Sequence, residues 1–174
     1  MINYLATQKN WQNAFSDTIT SFAELAQALD LPIDSFDSQV GQFPLKVPRR
    51  FVQKMGKGDI HDPLLKQVLP TFLETVQVTG FVTDPLDEQH ANPVKGIIHK
   101  YASRVLIPVT GACVVNCRYC FRQHFDYHEN LPTQNDWQAI SAYITAHPAV
   151  NEVILSGGDP LSLSNRRLLE IFTT

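Results

Sequence analysis

The chain has 174 residues, of which 44% are hydrophobic, and its formal net charge is −3. This length is enough for a globular core, and so small a negative charge gives no electrostatic reason to expect a nucleic-acid or membrane partner. No apolar run approaches the length of a membrane span, and the start of the chain lacks the apolar stretch of a secretory signal. Because its cysteines are confined to one short segment, the sequence predicts a cytoplasmic protein without disulfides.

The first hundred residues are predicted to form a mainly helical region. Residues 1–20 predict a helix or an arm whose register the sequence does not fix. A capping-box pattern then begins at Ser21, and apolar residues at helical spacing extend the predicted helix through Leu29. A shorter helix is predicted near residues 48–55, where glycines follow it. The segment Asp84–Leu86 predicts a turn with a structural role and no chemistry of its own.

A change of pattern at Arg104 indicates the second predicted region, residues 101–174. Arg104–Thr110 is nearly continuous in apolar and β-branched residues, which is typical of a strand buried on both faces in a parallel sheet. Pro108 cannot donate a hydrogen bond to such a sheet, so it favours an edge strand. The first strand of an incomplete barrel can tolerate this proline.

The rest of this region repeats the same order of elements. After the loop 111–124 (the cysteine loop), we predict a helix from Thr133, a buried strand over Glu152–Ser156 and a last helix near Ser164. The carboxyl ends of parallel strands meet at one edge, so the cysteine loop and the loop 156–160 (the SGGDP loop) should open on one face. The predicted fold is α/β, with a helical region followed by the first two βα units of a partial (β/α) barrel of the TIM type.

The cysteine loop contains the three cysteines of the chain, Cys113, Cys117 and Cys120, in the spacing C-x3-C-x2-C. An odd number of closely spaced thiols indicates a ligand set for a soft metal centre rather than a disulfide framework. Structural zinc sites and cubane iron–sulfur clusters usually take four protein ligands, so three cysteines would leave one iron of a cubane open. A zinc ion closed by His124 or His128 is the alternative.

The cysteine spacing, with Tyr119 just before the last cysteine, resembles the signature of radical S-adenosylmethionine enzymes. The longer segment HKYASRVLIPVTGACVVNCRYCFRQHF, residues 99–125, resembles lysine 2,3-aminomutases, and within them the branch that makes β-lysine for elongation factor P. Asn116, Tyr119, Phe121 and His124 fit that branch better than the enzymes of free-lysine catabolism, whereas Gln123 stands where the branch often has arginine. The resemblance extends over most of the chain beyond its first forty residues.

The resemblance implies an isomerase that moves an amino group within L-lysine and yields (R)-β-lysine. It implies three cofactors: a [4Fe-4S] cluster on the three cysteines, S-adenosylmethionine at the open iron as the source of a deoxyadenosyl radical, and pyridoxal phosphate as the carrier of the nitrogen. The implied partners are lysine as a small-molecule substrate, a reductant for the cluster, and, functionally, elongation factor P with its lysyl-transferring enzyme. The oligomeric state stays open, with a homo-oligomer among the options.

Individual residues take their roles from the same resemblance. Gly157, Gly158 and Asp159 of the SGGDP loop match the segment that meets the methionyl amino group of S-adenosylmethionine, and Tyr119 matches a position beside its adenine. Arg122 matches the arginine that holds the substrate carboxylate, a group that the planar guanidinium fork suits.

Tyr101 and Arg104 match positions near pyridoxal phosphate, although an ion pair at the strand end is an equal interpretation of Arg104. A complete barrel takes about 250 residues, so the sequence predicts an N-terminal fragment. The resemblance then implies that this fragment lacks the Schiff-base lysine and is inactive alone. Two other functions stay open. One is a radical S-adenosylmethionine enzyme with another substrate and no pyridoxal phosphate, and the other is a non-enzymatic Cys3His zinc module.

Overall fold

The computed structural model describes residues 16–37 and 43–173, which form a mixed α/β fold packed as two units. The first unit comprises the described residues up to Phe81 together with Val114–Cys120, and the second comprises those of Val82–Cys113 and Phe121–Thr174. The sequence analysis placed the start of the barrel after residue 100. That boundary stays a prediction. Among the described residues, no helix has the length and apolar character that a membrane span needs.

The first unit contains a short two-stranded sheet and several short helices. Strand β1 (Thr18–Ile19) pairs antiparallel with β2 (Val47–Pro48), and each strand leads into a helix, α1 (Phe22–Ala28) and α2 (Arg49–Val52). The described part of this unit also has three 3-10 helices: Ile33–Ser35, Leu65–Gln67 and Phe72–Thr75. The fully buried side chains of its core come from these elements and the turns between them: Ile19, Leu25, Leu29, Val47, Leu65 and Val68. Most of the arm predicted before Ser21 lies outside the described residues.

Helix α1 confirms the first predicted helix, with Leu29 as its C-cap. The predicted capping box is wrong, because the Ser21 side chain makes no cap hydrogen bond and Glu24 forms an ion pair with Arg49 instead. Helix α2 is shorter than the predicted 48–55 and ends at Val52. The chain then turns back, and the N–H of Gly58 donates to the Leu29 carbonyl at 2.7 Å. Tertiary contacts therefore override the local patterns at both helices.

The second unit is built on a three-stranded sheet with the order β3 (Ile98–Tyr101), β4 (Arg104–Thr110) and β5 (Glu152–Gly157). Strands β4 and β5 are parallel, and helix α4 (Asp136–Ala146) connects them after the one-turn helix α3 (Tyr127–Asn130). A 3-10 helix, Pro160–Ser162, and helix α5 (Asn165–Phe172) follow β5, and another 3-10 helix, Gln89–Ala91, precedes β3. The buried core joins the sheet to the two longer helices: Ile97, Val105, Ile107, Trp137, Ile140 and Ile171.

This arrangement confirms the two predicted parallel strands and the helix after each of them. The predicted burial of β5 is wrong, since none of its residues is fully buried and Val153 is 46% exposed. Leu106 lies opposite Ile154 in the parallel register, and the Ser164 side chain caps α5 by accepting from the N–H of Arg167 at 3.2 Å. The fold is therefore α/β as predicted. A TIM-type barrel has eight parallel strands, and the described residues contribute two that pair in parallel, so the barrel itself stays a prediction.

Strand β3 was not predicted, since residues up to 100 were assigned to a helical region. It forms an antiparallel hairpin with β4, in which Tyr101 lies opposite Arg104 across the turn at Ala102 and Ser103. Such hairpins are usually indicated by Asn-Gly or Asp-Gly turns, which this sequence lacks at that place. The four residues of β3 also include a histidine and a lysine, which leaves too short an apolar pattern to indicate a strand.

The same hairpin explains how Pro108 is accommodated. Strand β4 is the middle strand of the sheet, so the predicted edge position is wrong for the strand as a whole. However, β3 begins at Ile98, opposite Leu106, and Pro108 lies beyond that pairing with Ser156 of β5 on its other side. At Pro108 the strand is therefore locally an edge, where a missing N–H donor costs no ladder hydrogen bond.

Candidate active site

The SGGDP loop and the start of the cysteine loop lie side by side at the carboxyl ends of β5 and β4. The N–H of Gly158 donates to the Thr110 carbonyl at 2.6 Å, and the N–H of Asp159 donates to the Ala112 carbonyl at 2.8 Å. Two parallel strands whose loops meet at one edge form the arrangement that was expected from the sequence. Within the second unit, the backbone leading to Cys113 is thus fixed against the SGGDP loop.

The two glycines of this loop are required by the closeness of the two backbones. A Cβ at Gly157 would overlap the carbonyl oxygen of Thr110, and one at Gly158 would overlap that of Ala112. Gly157 also has φ = +110°, a conformation that residues with side chains rarely adopt. Packing alone therefore accounts for both glycines, whether or not they also approach a ligand.

Gly157→Ala should lower the free energy of unfolding by about 2–4 kcal/mol, because backbone strain and overlap with Thr110 act together. The matched control is Gly80→Ala, at φ = +88° with nothing within 4 Å of the added carbon, where strain alone should cost about 1 kcal/mol. Denaturant unfolding of both variants measures the difference. Equal losses would contradict the role assigned to the close approach of the two backbones.

Asp159 has a local structural partner in addition to its predicted ligand role. Its side chain accepts from the N–H of Leu161 at 3.0 Å and so caps the 3-10 helix Pro160–Ser162. The Ser162 hydroxyl is 3.5 Å from the Ala112 carbonyl, which adds a weak second link between the two loops. These contacts hold the SGGDP loop in one conformation, and the binding of S-adenosylmethionine there stays a prediction.

The three cysteines belong to two different units, with Cys113 in the second and both Cys117 and Cys120 in the first. All three are partly buried, and no disulfide links them. The N–H of Cys120 donates to the Cys117 carbonyl at 3.1 Å, so these two ligands share one turn of backbone. Among the described residues, no three His, Cys, Asp or Glu side chains are gathered closely enough to hold a metal ion.

Their chemistry nevertheless fits an iron–sulfur cluster. Three thiols within eight residues supply the soft ligands that such a cluster takes, and their number leaves one iron without a protein ligand. Tyr119 lies between the last two ligands and is 72% exposed. Its hydrogen bond with Cys117, and then the charge of that thiolate, raise the pKa of Tyr119 above its ordinary value. The ligand set and the adenine contact of Tyr119 stay predictions from the sequence.

The segment Val114–Cys120 is anchored to the rest of the first unit by two residues next to the ligands. The Asn116 N–H donates to the Lys46 carbonyl at 2.9 Å, and its side-chain amide donates to the Pro44 carbonyl at 3.0 Å. The N–H of Arg118 donates to the Gln67 carbonyl at 2.8 Å. These bonds fix the backbone on both sides of Cys117.

The Arg118 side chain completes this anchor. Its guanidinium forms a two-point ion pair with Glu74, in which Nε donates to Oε1 at 2.8 Å, and both terminal nitrogens donate to the Phe43 carbonyl at 3.1 Å. Only 8% of the Arg118 side chain and 19% of the Glu74 side chain are exposed. The sequence analysis missed Glu74, which stands 44 positions away and carries no signal of a partner.

Arg122, the predicted carboxylate-binding residue, is buried in a network of its own. Its Nε donates to Oε2 of Glu88 at 2.8 Å and its Nη2 to Oε1 of the same residue at 2.6 Å. Its Nη1 donates to the hydroxyl of Ser156 at 2.8 Å, which links Arg122 to the first residue of the SGGDP loop. Arg122 and Glu88 are only 7% and 5% exposed. A buried Arg–Glu pair therefore lies beside the loop predicted to bind a cofactor.

Glu88, the buried partner of Arg122, was missed by the sequence analysis. It follows the predicted turn Asp84–Leu86 in a polar stretch without periodicity, so nothing local distinguishes it from a solvated glutamate. The turn itself is confirmed, and the Asp84 carboxylate accepts from the N–H groups of Glu88 and Gln89 at 3.1 and 3.2 Å. Burial raises the pKa of Asp84, but these two N–H donors and the charge of Lys100 bring it below its ordinary value.

Tyr101 and Arg104, the predicted neighbours of pyridoxal phosphate, lie at the opposite end of β4 from the two loops. Six residue steps of strand separate Arg104 from Thr110, which corresponds to about 20 Å. Arg104 forms an ion pair with Glu152 at 3.0 Å, and both side chains are about half exposed. This is the strand-end ion pair that was the alternative interpretation of Arg104, and a contact with pyridoxal phosphate stays a prediction.

The two histidines of the alternative zinc site are both exposed. His124 is exposed, and the His128 side chain is 94% exposed with its Nδ1 3.0 Å from the Glu129 carboxylate. Neither belongs to a gathered metal-binding group among the described residues.

Comparison with known proteins places these features in a family. Residues 102–174, which include all three cysteines, match a family described as a 4Fe-4S single cluster domain. The chain is 45% identical over 164 residues to the L-lysine 2,3-aminomutase of Haemophilus influenzae and 43% identical over 166 residues to that of Escherichia coli. It is also 37% identical over 171 residues to that of Buchnera aphidicola. The chain belongs to the lysine 2,3-aminomutase family of radical S-adenosylmethionine proteins.

These alignments cover 92%, 93% and 96% of this chain but only 48%, 48% and 50% of the relatives. The chain thus spans about half the length of these lysine 2,3-aminomutases. The family confirms the resemblance that was drawn from residues 99–125, including the expectation of an iron–sulfur cluster. The branch that serves elongation factor P is a finer assignment that these comparisons do not reach.

Proposed function

We propose that this chain forms the cluster-binding part of a lysine 2,3-aminomutase, an isomerase that converts L-lysine into β-lysine. The observation that carries the proposal is the meeting of two loops at one edge of the sheet. The residues leading to Cys113 are hydrogen-bonded to the SGGDP loop, and Arg122 contacts Ser156 of that same loop. The identity of up to 45% to proteins of this name supports the choice of reaction.

In this proposal, Cys113, Cys117 and Cys120 hold a [4Fe-4S] cluster through three thiolates and leave one iron for the amino and carboxylate groups of S-adenosylmethionine. When bound and reduced by an external electron donor, the cluster and S-adenosylmethionine would supply the radical chemistry for removing hydrogen from lysine. The chain itself contributes placement: Arg118 fixes the turn that carries two of the ligands, and the backbone of the SGGDP loop approaches within hydrogen-bonding distance of Ala112. Tyr119 is exposed next to the ligands and free to pack on the adenine.

Arg122 binds the substrate carboxylate in this proposal. Its guanidinium is buried, so the two parallel hydrogen bonds it can give to a carboxylate are protected from competing water. The hydrogen bond from Arg122 to Ser156 supports this role, because it links Arg122 to the loop proposed to hold S-adenosylmethionine. The substrate is therefore held near the position where hydrogen is removed.

Finer assignments complete the proposal. The product is (R)-β-lysine for elongation factor P, to which a separate lysyl-transferring enzyme attaches it, and an external reductant serves the cluster. Pyridoxal phosphate is the second organic cofactor, and only the sequence resemblance connects Tyr101 and Arg104 with it. The described residues around this pair do not fit a pyridoxal phosphate site, since Arg104 is paired with Glu152 at the far end of β4.

The test uses the whole protein in which this sequence occurs, anaerobically reconstituted with iron, sulfide and pyridoxal phosphate. L-lysine, S-adenosylmethionine and dithionite are added, and products are measured by mass spectrometry. We expect β-lysine in amounts well above the enzyme concentration. Formation of 5'-deoxyadenosine without β-lysine would contradict the aminomutase and favour a radical S-adenosylmethionine enzyme with another substrate. Formation of neither product would contradict both.

A further inference from the structure

We infer that Glu88 is a positioning residue. It binds one edge of the Arg122 guanidinium and so leaves another edge available for the substrate carboxylate. The inference rests on the proposed function of Arg122. It concerns how a buried arginine already paired with one carboxylate can bind a second. The geometry of the Glu88–Arg122–Ser156 network answers that question.

The number of hydrogen-bond donors allows a second carboxylate. A guanidinium carries five N–H donors. Glu88 accepts two of them, from Nε and Nη2, and Ser156 accepts one from Nη1. Within residues 16–37 and 43–173 no further acceptor is bonded to Arg122, which leaves one donor on each terminal nitrogen. A carboxylate can accept two N–H groups from neighbouring nitrogens at once. Arg122 can therefore take a substrate carboxylate without leaving Glu88.

The fixed environment of Arg122 makes this arrangement specific. Glu88 holds one edge of the guanidinium, and the Phe121 ring covers a face, with the guanidinium carbon 4.7 Å from the ring centroid. Glu88 is itself fixed by the Asp84 carboxylate, which accepts from its backbone N–H. Arginine side chains lose much rotamer freedom when they bind, and a guanidinium that is already oriented avoids that loss on substrate binding.

Displacement of Glu88 by the substrate is the competing arrangement, and burial disfavours it. Glu88 is 5% exposed, so a displaced carboxylate would leave a buried charge without its partner. A substrate that retained the pair would avoid this penalty. Glu88 therefore strengthens carboxylate binding in our account, whereas as a competitor it would weaken it, and the two roles predict opposite effects of removing its charge.

The experiment measures binding of two ligands to the whole holoprotein by anaerobic calorimetry. L-Lysine has the carboxylate, and L-lysinamide has a neutral amide in its place. We expect Glu88→Gln to weaken binding of L-lysine by about tenfold, the size of one well-placed hydrogen bond to a charged group, and to change binding of L-lysinamide less than twofold. A general structural defect would weaken both ligands equally, so the ratio of the two constants reports positioning.

The control is Asp87→Asn, which removes the neighbouring carboxylate. Asp87 pairs with the exposed His90 and does not contact Arg122, so neither ligand should bind differently. If Glu88→Gln does not fold, Ser156→Ala is used instead, because it removes the third hydrogen-bond acceptor of Arg122. It should weaken binding of L-lysine, but not of L-lysinamide, by a factor smaller than tenfold.

Tighter binding of L-lysine to Glu88→Gln, or equal weakening of both ligands, would overturn the positioning role. If Glu88→Gln does not fold, a Ser156→Ala variant that changes the binding of L-lysine and L-lysinamide by the same factor would also overturn the positioning role. Failure of the unmodified holoprotein to bind L-lysine at all would instead overturn the proposed function, and with it the inference that depends on it.

Discussion

Replacing Cys117 by serine should abolish the cluster, with iron falling from about four atoms per chain to below one. The sequence contains only the three cysteines of the cysteine loop, so no other thiolate can replace the one that is lost. Serine is a poor ligand for iron–sulfur clusters because its hydroxyl stays protonated near neutral pH. Iron and acid-labile sulfide are measured after anaerobic reconstitution of both proteins.

The control for this variant is Tyr119→Phe. It removes the phenol that hydrogen-bonds Cys117 but leaves all three thiols in place, so iron and sulfide should match the unmodified protein. Full iron content in Cys117→Ser would contradict the assignment of Cys117 as a ligand. Stoichiometric zinc without sulfide in the unmodified protein would instead favour a structural metal module.

The second large effect is expected at Arg118, where replacement by alanine should lower the free energy of unfolding by about 3–5 kcal/mol. The change leaves the largely buried Glu74 carboxylate without its ion pair and the Phe43 carbonyl without two donors. Chemical denaturation of the unreconstituted protein measures the loss free of any contribution from a bound cluster.

Arg166→Ala is the matched control for Arg118. Arg166 also pairs with a glutamate, Glu170, but its side chain is 90% exposed, and such a pair on a helix contributes about 0.5 kcal/mol or less. Both variants remove an arginine side chain that is paired with a glutamate. They differ in how deeply that ion pair is buried. A loss below about 1 kcal/mol for Arg118→Ala would contradict its role as the anchor of the ligand segment.

The parts of the fold that the sequence predicted are those with a strong local pattern. The apolar run of β4, the helical spacing of Trp137 and Ile140, and the Ser164 cap each depend on residues close in sequence. Strand β3 escaped prediction because four residues with two polar side chains and an unmarked turn carry too little periodicity. The capping box at Ser21 failed because Glu24 has a stronger partner, Arg49, 25 positions away.

In the candidate site, too, the predicted residues are those with a strong local sequence pattern. The cysteines, the two glycines and Arg122 were found because their spacing and chemistry mark them within a short segment. Glu88 and Glu74, which hold Arg122 and Arg118, stand 34 and 44 positions from those arginines. A single sequence contains no information on such pairs, since every exposed glutamate has the same local pattern. The candidate ligand-binding residues could thus be proposed from the sequence, whereas the glutamates that orient two of the arginines could not.

The most direct test of the account is electron paramagnetic resonance of the reduced, anaerobically reconstituted protein before and after addition of S-adenosylmethionine. The account predicts a cubane signal from the unmodified protein that changes on addition, because S-adenosylmethionine binds the iron left open by three cysteines. A cubane signal that S-adenosylmethionine leaves unchanged would contradict the open iron. Absence of any cluster signal would contradict the ligand role of the three cysteines altogether.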